Sequence, residues 1–278
     1  MNIREALASA AKRIQPVSES ARLDAQLLLM AVLGVERAYL LAHDDETLSP
    51  EQSARYETDV TRAAAGEPLP YILGKRAFFD LELFVTPAVL IPRPETELLL
   101  EEALRFAAAR PSLTAVDVGT GSGALAVTFA VHAPQAAVHA SDISPAALAV
   151  ARRNAAKYQA NIHFYEGDLL QPLIERGLKV DLLMANLPYI PHEEMLTLPV
   201  SRHEPLLALD GGADGLDLVR RLLSQASEVC HPGALLLLEI GSGQGTAAAA
   251  TVHALLETQA CDVLKDYAGH ERILRLRL

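Results

Sequence analysis

Two kinds of segment alternate along the chain from about residue 111 to its end. Short apolar segments typical of β-strands lie at 115–118, 138–141, 162–166, 180–185 and 234–240, and helical patterns begin near Ala124, Pro145, Leu216 and Thr246. Parallel strands need a crossover between them, usually a helix. The alternation therefore predicts an α/β fold in which helices cover both faces of a mostly parallel sheet. A last segment, 272–278, is expected to pair antiparallel at or near an edge of this sheet.

The first part of the chain has a different pattern. Up to about residue 66, apolar residues recur at helical spacing, as at Leu23 and Leu27, and Gly34 offers a left-handed helix end. Residues 49–52, Ser-Pro-Glu-Gln, are typical of the start of a helix, where the Ser caps the first turn and the Gln side chain reaches back to it. Between residues 68 and 94, β-prone apolar residues are punctuated by prolines, which predicts a hairpin. We expect a small all-helical domain over 1–75, a β-hairpin linker over 76–94 and the α/β domain over 95–278.

A glycine-rich loop, Gly-Thr-Gly-Ser-Gly at 119–123, lies between the first strand and the first helix of the α/β region. Backbone N–H groups point outward at this place, and glycine lets a ligand approach the main chain. With Ala124 the spacing fits a dinucleotide-binding loop, and Asp142 ends the next strand at the distance expected of a ribose-binding acid. A tight turn without a ligand uses the same residue types. We predict six cofactor-binding residues here: Gly119, Thr120, Gly121, Ser122, Gly123 and Asp142.

Two further acids favour S-adenosylmethionine over NAD as the cofactor. Asp117 lies two residues before Gly119, where its carboxylate either orients the loop or faces a ligand's ammonium group, whereas a pyrophosphate gains nothing from a negative neighbour. Asp168 follows the third strand, where it is placed to accept a hydrogen bond from an adenine amino group while Leu169 packs against the ring. Asp117, Asp168 and Leu169 therefore join the predicted cofactor site. An NAD-dependent dehydrogenase is the alternative.

The fourth strand, 180–185, runs directly into Asn186-Leu187-Pro188-Tyr189. The carboxyl ends of the strands form the ligand crevice of an open α/β sheet, so this tetrapeptide is expected to face the cofactor loop. A plain turn leaving a strand is the alternative. An amide or aromatic amino nitrogen is a poor nucleophile because its lone pair is delocalised. Two acceptors, the Asn186 side-chain oxygen and the Pro188 carbonyl, are expected to turn that lone pair toward the methyl group.

The same tetrapeptide supplies the predicted reacting centre. Tyr189 is expected to stack on the planar group that is methylated. The predicted catalytic residues are Asn186, Pro188 and Tyr189, and the predicted substrate-binding residues are Asn186, Leu187, Pro188 and Tyr189. Asn186 is also expected to touch the cofactor.

Charge and metal-ligand spacing argue against several other classes of protein. The formal net charge of −11 disfavours strong nucleic-acid binding through phosphates, because such binding needs clustered Lys and Arg. The nine histidines and two cysteines show no metal-ligand spacing, so no metal is expected. No apolar run approaches the ~20 residues of a membrane span, and the N-terminus lacks the pattern of a secretory signal. We expect a cytoplasmic protein with two buried, reduced cysteines.

These motifs resemble the HemK/PrmC family, the release-factor glutamine N5-methyltransferases, over nearly the whole chain. Residues 67–74, Glu-Pro-Leu-Pro-Tyr-Ile-Leu-Gly, and 89–97, Val-Leu-Ile-Pro-Arg-Pro-Glu-Thr-Glu, resemble linker signatures that generic methyltransferases lack. Later segments also resemble the family pattern: Glu204-Pro205, 211–216, and Glu239-Ile240-Gly241 with Gln244. Two positions depart from that pattern, since Leu187 stands where the family usually has proline and Pro70 replaces a more usual Gln.

The resemblance implies a fold, a substrate and a set of site residues. The fold is a Rossmann-like, class I S-adenosylmethionine-dependent methyltransferase domain, joined by a hairpin to a helical N-terminal domain that helps to bind the release factor. The substrate is the glutamine amide of the Gly-Gly-Gln loop of peptide-chain release factors, whose methylation modulates translation termination. By resemblance, the glycine loop, Asp142 and Leu169 touch the cofactor, Asn186 lies between cofactor and substrate, and residues 186–189 hold the glutamine amide.

Four alternatives stay open at this point. The first is a ribosomal-protein glutamine methyltransferase with the same chemistry and a different docking surface. The second is a nucleic-acid adenine N6-methyltransferase, because Asn-Leu-Pro-Tyr also occurs in enzymes that dimethylate ribosomal RNA adenines. The third is the dehydrogenase, which leaves residues 186–189 without a role. The fourth is a binding module without catalytic activity.

Overall fold

Apolar side chains at helical spacing fold the N-terminal residues into five helices. In the computed structural model, which describes residues 1–256, 258 and 260–278, these helices are α1 (Ile3–Ile14), α2 (Ala21–Leu33), α3 (Arg37–Ala42), α4 (Pro50–Ala64) and α5 (Leu69–Leu73). They lie in the first of two compact units, Met1–Lys75, and the second unit is Arg76–Leu278. The core of the first unit includes Ile3, Leu28 and Tyr56.

Helix ends in the first unit follow the capping signals. Ser49 Oγ accepts from the Gln52 N–H at 3.1 Å, and Gln52 Oε1 accepts from the Ser49 N–H at 2.8 Å, which opens α4. Gly34 ends α2 with a φ of +69°. Leu69–Leu73 is helical, which agrees with the all-helical domain expected over 1–75 and narrows the hairpin pattern noted between residues 68 and 94. A proline in the first turn of α5 and Gly74 at its end, with a φ of +70°, explain this short helix.

The second unit alternates strands and helices. Its elements in chain order are β1 (Lys75–Phe78), β2 (Leu81–Phe84), α6 (Thr96–Ala108), β3 (Leu113–Val118), α7 (Ala124–His132), β4 (Ala136–Asp142), α8 (Pro145–Tyr158), β5 (Ile162–Glu166), α9 (Gln171–Ile174), β6 (Val180–Ala185), α10 (His192–Met195), α11 (Asp217–Val229), β7 (Cys230–Glu239), α12 (Gly245–Leu255), β8 (Ala260–Lys265) and β9 (Glu271–Arg277). Two short 3₁₀ helices, Pro199–Arg202 and Leu206–Ala208, follow α10.

One sheet of seven strands in the order β5-β4-β3-β6-β7-β9-β8 forms the centre of the second unit. The pairings from β5 to β7 are parallel, and β9 is antiparallel to both β7 and β8. Successive residues of a strand pack on opposite faces: Ala115 lies in a cluster with residues of α6 and α7, whereas Val116 lies in a cluster with residues of α11 and α12. The predicted α/β fold with helices on both faces is confirmed.

The hairpin β1–β2 is tied to this unit by one buried side chain of α8. Asn154 Oδ1 accepts from the Phe84 N–H at 2.7 Å, while its Nδ2 donates to the Phe84 and Ser122 carbonyls at 2.9 and 2.8 Å. The sequence gives no sign of this role, because an Asn inside a helix is usually solvated. Asn154 therefore fastens the hairpin, α8 and the glycine-rich loop to one another.

The C-terminal part of the sheet differs from the prediction in detail. The predicted last strand pairs antiparallel near the edge, but the edge strand is β8, which sequence reasoning missed. Its sequence, Ala-Cys-Asp-Val-Leu-Lys, contains two charged residues and its side chains are exposed or half-buried, so the segment lacks the apolar signal of a buried strand. The helix predicted to begin near Thr246 begins at Gly245 and ends at Leu255.

Two smaller findings concern cysteines and membrane spans. Both cysteines are free, and Cys230 is buried as predicted. The expected burial of Cys261 is wrong, because this residue lies on the half-exposed edge strand. In the part of the chain that the structure describes, every helix is too short or too polar to cross a bilayer.

Candidate active site

A cavity of about 260 Å³ opens at the carboxyl ends of β3, β4 and β6. This is the place where an open α/β sheet binds its ligand. Eleven predicted site residues line it: Asp117, Gly119, Thr120, Gly121, Ser122, Asp142, Asp168, Leu169, Asn186, Leu187 and Pro188. The other two predicted residues, Gly123 and Tyr189, are described by the structure and lie outside the lining. Two further segments contribute lining that the sequence did not predict: Ala88, Val89, Leu90, Pro92 and Arg93, and then Pro205, Leu207 and Ala208.

The glycine-rich loop depends on left-handed backbone conformations, with φ values of +71° at Gly119, +56° at Gly121 and +81° at Gly123. The Gly119 N–H donates to the Ser141 carbonyl at 2.8 Å and fastens the loop to the end of β4. A Cβ added at Gly121 would meet no atom closer than 4.0 Å, so this residue faces open space. A Cβ at Gly123 would lie 3.2 Å from the Ala151 Cβ, so Gly123 lets the loop pack on α8.

Asp117 is buried at the end of β3 and is hydrogen-bonded to residues that follow it. Its Oδ2 accepts from the Thr120 hydroxyl at 2.6 Å and from the Ala126 N–H at 3.1 Å. Burial, only partly offset by these hydrogen bonds, raises the pKa of Asp117 to about 7. From the sequence, Asp117 is expected either to orient the loop or to face a ligand's ammonium group. These contacts favour the first role, because they fix the loop to the start of α7.

Asp142 connects the glycine-rich loop to the start of α8. Its Oδ2 accepts from the Gly121 N–H and its Oδ1 from the Ser144 N–H, both at 2.8 Å. Burial raises the pKa of this carboxyl above its usual value. The Ile143 N–H also acts on this carboxylate, and because a carboxylate offers about four acceptor positions, Asp142 keeps one for a ligand.

Leu169 and Asp168 form the side of the cavity after β5. Leu169 adopts a φ of +49°, which is uncommon outside glycine, and the Ser141 hydroxyl donates to its carbonyl at 2.8 Å. The neighbouring Asp168 forms an ion pair with Arg221 of α11, which also lines the cavity. Sequence reasoning missed Arg221, because its pattern is that of a solvated residue on an amphipathic helix.

Asn186 stands at the end of β6, and its amide is held by buried polar groups. Its Nδ2 donates to Thr96 Oγ1 at 3.0 Å, and that hydroxyl donates to Glu239 Oε2 at 2.7 Å. Thr96 begins α6, and Glu239 ends β7. Desolvation is the main reason that the pKa of Glu239 is raised to about 7. Both residues belong to segments that resemble the family pattern, but no local signal joins them.

The turn after Asn186 is held by Gln244, which lies outside the cavity lining. Gln244 Nε2 donates to the Tyr189 carbonyl at 2.9 Å, while Gln244 Oε1 accepts from the Gly241 N–H at 2.8 Å. The Tyr189 hydroxyl lies 3.5 Å from Glu239 Oε1, a long contact at the end of β7. Burial is the largest cause that raises the pKa of Tyr189 to about 12, so the hydroxyl stays protonated near neutral pH. Tyr189 therefore faces the end of β7, where Glu239 lies.

Glu204 joins two segments at the mouth of the cavity. Its Oε2 accepts from the Ile91 N–H at 3.0 Å, and its Oε1 accepts from the Arg93 guanidinium at 2.5 Å. Glu204 is buried, whereas the nearby Leu207 is 61% exposed although it lines the cavity. Hydrogen bonds to Glu204 thus join the Glu204-Pro205 pair to the linker signature at 89–97. The exposed apolar residue Leu207 borders the opening of the cavity.

The sheet order, with its antiparallel β9, and the glycine-rich loop after β3 define a class I methyltransferase. Residues 94–200 match the family described as methyltransferase small domain. A crystal structure of a methyltransferase from Pyrococcus furiosus is similar, with a TM-score of 0.55 at 19% identity over 72% of this chain and 90% of that one. The T. thermophilus 16S rRNA N2 G1207 methyltransferase, solved with AdoMet and guanosine, gives a TM-score of 0.53 at 16% identity over 73% and 49%.

The particular family follows from the whole chain. Residues 5–74 match the family described as PrmC N-terminal domain. The release factor glutamine methyltransferase of Moorella thermoacetica is 46% identical over 276 residues, which cover 98% of this chain and 97% of that protein. That of Bacillus subtilis is 41% identical over 256 residues, with 90% and 89% covered. The chain belongs to the release factor glutamine methyltransferase family, which confirms the resemblance noted from its motifs.

Proposed function

We propose that this chain transfers a methyl group from S-adenosylmethionine to the side-chain amide nitrogen of the glutamine in the Gly-Gly-Gln motif of peptide-chain release factors, and so modulates translation termination in the cytoplasm. One observation carries the proposal. The Asn186 amide directs its nitrogen to Thr96, which turns its oxygen away from Thr96 in the same cavity that the glycine-rich loop lines. The name of its relatives, release factor glutamine methyltransferase, supports the proposed substrate.

The cavity fits S-adenosylmethionine. Because Gly121 has no side chain, its backbone is open to a ligand on the side where a Cβ would point. The carboxylates of Asp117 and Asp142 lie in the lining and complement a ligand with a positive sulfonium and an ammonium group, whereas the charge of Asp168 is paired with Arg221. When bound, S-adenosylmethionine supplies an electrophilic methyl group on a positively charged sulfur.

The proposed cofactor contacts follow the lining of the cavity. Gly119, Thr120, Gly121 and Ser122 hold the amino-acid end, with Asp117 and Gly123 shaping the loop from within. Asp142 accepts hydrogen bonds from the ribose hydroxyls. Asp168 accepts from the adenine amino group, and Leu169 packs against the ring. Asn186 lies between the cofactor and the substrate.

The residues of the turn at 186–189 act on the substrate amide. Asn186 Oδ1 and the Pro188 carbonyl each accept one N–H of the glutamine NH₂, which orients the nitrogen lone pair without a covalent intermediate. Leu187 lines the cavity beside them and contacts the apolar part of the glutamine side chain. Because Tyr189 lies outside the lining, its proposed contribution is to fix the end of the turn through Gln244 and Glu239.

The proposed domains divide this work. Residues 1–75 form the helical domain that docks the release factor, which the match to the PrmC N-terminal domain supports. Residues 76–94 form the hairpin linker, and residues 95–278 bind S-adenosylmethionine and the glutamine side chain. No metal takes part in the proposed reaction. Docking through a protein surface also agrees with the net charge of −11, which disfavours strong binding to nucleic acid.

The test uses methyl-labelled S-adenosylmethionine with three substrates in parallel: purified release factor, total ribosomal protein and ribosomal RNA. Mass spectrometry then locates the labelled residue. We expect label on the glutamine of the Gly-Gly-Gln motif. Label confined to a glutamine of a ribosomal protein, or to an adenine N6 of the RNA, would overturn the proposal in favour of one of the two methyltransferase alternatives.

A further inference from the structure

The orientation of the Asn186 side chain decides whether the proposed site works. A primary amide has an oxygen on one side and an NH₂ on the other, and the two are exchanged by a half-turn about the last side-chain bond. Only one orientation presents an acceptor to the substrate NH₂. The other presents a donor, which repels the N–H groups of the glutamine amide.

Hydrogen-bond accounting at Thr96 selects between the two orientations. The Thr96 hydroxyl has one hydrogen. Its oxygen, Oγ1, lies 2.7 Å from Glu239 Oε2 and 3.0 Å from Asn186 Nδ2. When Glu239 is ionised, its carboxylate only accepts hydrogen bonds, so the Thr96 hydrogen is used toward Glu239. Toward Asn186, Thr96 then has only a lone pair to offer. The Asn186 NH₂ must occupy this position, which leaves the Asn186 oxygen for the substrate.

We infer that Thr96 and Glu239 are positioning residues, which fix the acceptor orientation of Asn186 through a chain of hydrogen bonds from the Glu239 carboxylate. The inference rests on the proposed function and adds to it two residues that act through Asn186; Thr96 lines the cavity, and Glu239 does not. Both are buried, with exposed fractions of 4% for Thr96 and 2% for Glu239, so water does not compete for these bonds.

The donors and acceptors of these hydrogen bonds can exchange roles when Glu239 is protonated. A carboxylic acid is able to donate to Thr96, and the Thr96 hydrogen is then free to point at Asn186, which favours the amide orientation with its oxygen toward Thr96. Four groups influence the Glu239 carboxyl: the Thr96 and Tyr189 hydroxyls, the Arg272 guanidinium of β9 and the Glu95 carboxylate before α6.

The pKa of Glu239 near 7 places this exchange close to neutral pH. As the pH rises through that value Glu239 ionises, the acceptor orientation of Asn186 becomes fixed, and methyl transfer becomes faster. As the pH falls, the reversed orientation gains population. The structure therefore carries a pH-dependent step that does not involve the reacting atoms.

A matched pair of variants at Thr96 tests the inference in the full-length protein. Thr96→Val has nearly the same shape without the hydroxyl, and Thr96→Ser keeps the hydroxyl. We expect Thr96→Val to lower kcat for release factor methylation by about tenfold or more, with the affinity for S-adenosylmethionine unchanged within about threefold. Thr96→Ser should retain a kcat within about threefold of the parent. A parent-like kcat in Thr96→Val, or an equal loss in both variants, would contradict the inference.

Glu239→Gln supplies a second test that holds even if Thr96→Val fails to fold. The Gln oxygen still accepts from Thr96, but the side chain does not titrate. The fall of kcat on the acidic side of pH 7 is therefore expected in the parent and lost in Glu239→Gln. The NMR signals of the Asn186 NH₂, assigned by their loss in Asn186→Ala, should shift with the same pH midpoint in the parent and not in Glu239→Gln. Identical titrations in both proteins overturn the inference.

These tests separate the inference from the proposed function. If the parent protein does not methylate the release factor glutamine, the proposed function fails. If it does so while the Thr96 and Glu239 variants behave like the parent in rate, pH profile and Asn186 signals, only the positioning role fails.

Discussion

Leu187 packs directly on the backbone of Gly119, so the turn after β6 and the loop after β3 are in contact. A Cβ built at Gly119 would lie 2.9 Å from Leu187 Cδ2, which is closer than two non-bonded carbon atoms approach each other. Leu187 is also the residue that stands where the family usually has proline. The departure therefore lies at the contact between the proposed cofactor loop and the proposed substrate turn, and it leaves Asn186 and Pro188 in the cavity lining.

The first prediction concerns Gly119→Ala. A left-handed conformation costs a non-glycine residue about 1–2 kcal/mol, and the contact with Leu187 adds a steric cost. We expect the affinity for S-adenosylmethionine to fall at least about tenfold, measured by calorimetry. Gly34→Ala is the matched control, because it has a similar φ of +69° but no neighbouring atom within 4 Å of the added Cβ. It should lose stability and keep cofactor affinity. Equal affinities for all three proteins would refute the contact.

The second prediction concerns Asn186→Ala. Removing one of two orienting acceptors is expected to lower kcat by about 10²-fold or more. The affinity for S-adenosylmethionine should stay within a few-fold, because the glycine-rich loop and Asp142 are intact. Asn161→Ala, at an exposed position before β5, is the control and should behave like the parent. A methylation rate near that of the parent would remove Asn186 from the reacting centre.

The third prediction concerns Asp142→Ala. This carboxylate holds the Gly121 N–H and is proposed to hold the ribose, so its loss disturbs both the loop and the ligand. We expect a loss of S-adenosylmethionine affinity of about tenfold or more, since hydrogen bonds to a charged group contribute about 1.5–3 kcal/mol. Calorimetric titration measures it, with Asp45→Ala, an exposed aspartate of the first unit, as the control. Unchanged affinity would exclude Asp142 from the site.

The fourth prediction concerns stability and pH. The folded-state pKa of Glu239 is raised from 4.5 to about 7. Between these values the unfolded chain has released the proton that the folded chain still binds, so the free energy of unfolding falls as the pH rises through this window. Glu239→Gln removes that dependence, and its stability relative to the parent should increase by up to roughly 3 kcal/mol between about pH 4.5 and pH 8.

Urea unfolding at several pH values measures this difference. Glu228→Gln, at an exposed position of α11, serves as the control and should show the same pH dependence as the parent. A stability difference between Glu239→Gln and the parent that stays constant with pH would show that Glu239 is ionised throughout the range.

The sequence predicts the sheet and the cavity well because both depend on local patterns. Ile162–Glu166 and Val180–Ala185 are rich in apolar and aromatic residues, and the structure has strands with these bounds. The glycine-rich loop and the Asn-Leu-Pro-Tyr turn each follow directly from a strand. Their meeting at one edge is a consequence of parallel topology, which the alternation of strands and helices already implies.

Several of the unpredicted features join residues distant in the chain. Thr96 and Glu239 are 143 positions apart, and Ile91 and Glu204 are 113 apart. No periodicity or spacing rule pairs such positions, because their contact depends on how α6 and β7 pack. The edge strand β8 was missed for a different reason: its side chains are half-exposed, so the segment lacks the apolar signal of a buried strand.

The most direct test of the account is the mass of the Gly-Gly-Gln peptide of a release factor after incubation with S-adenosylmethionine and either the parent protein or Asn186→Ala. We expect one added methyl group on the glutamine side chain with the parent, and little or none over the same time with the variant. An unmodified glutamine with the parent protein, or equal methylation by both proteins, would contradict it.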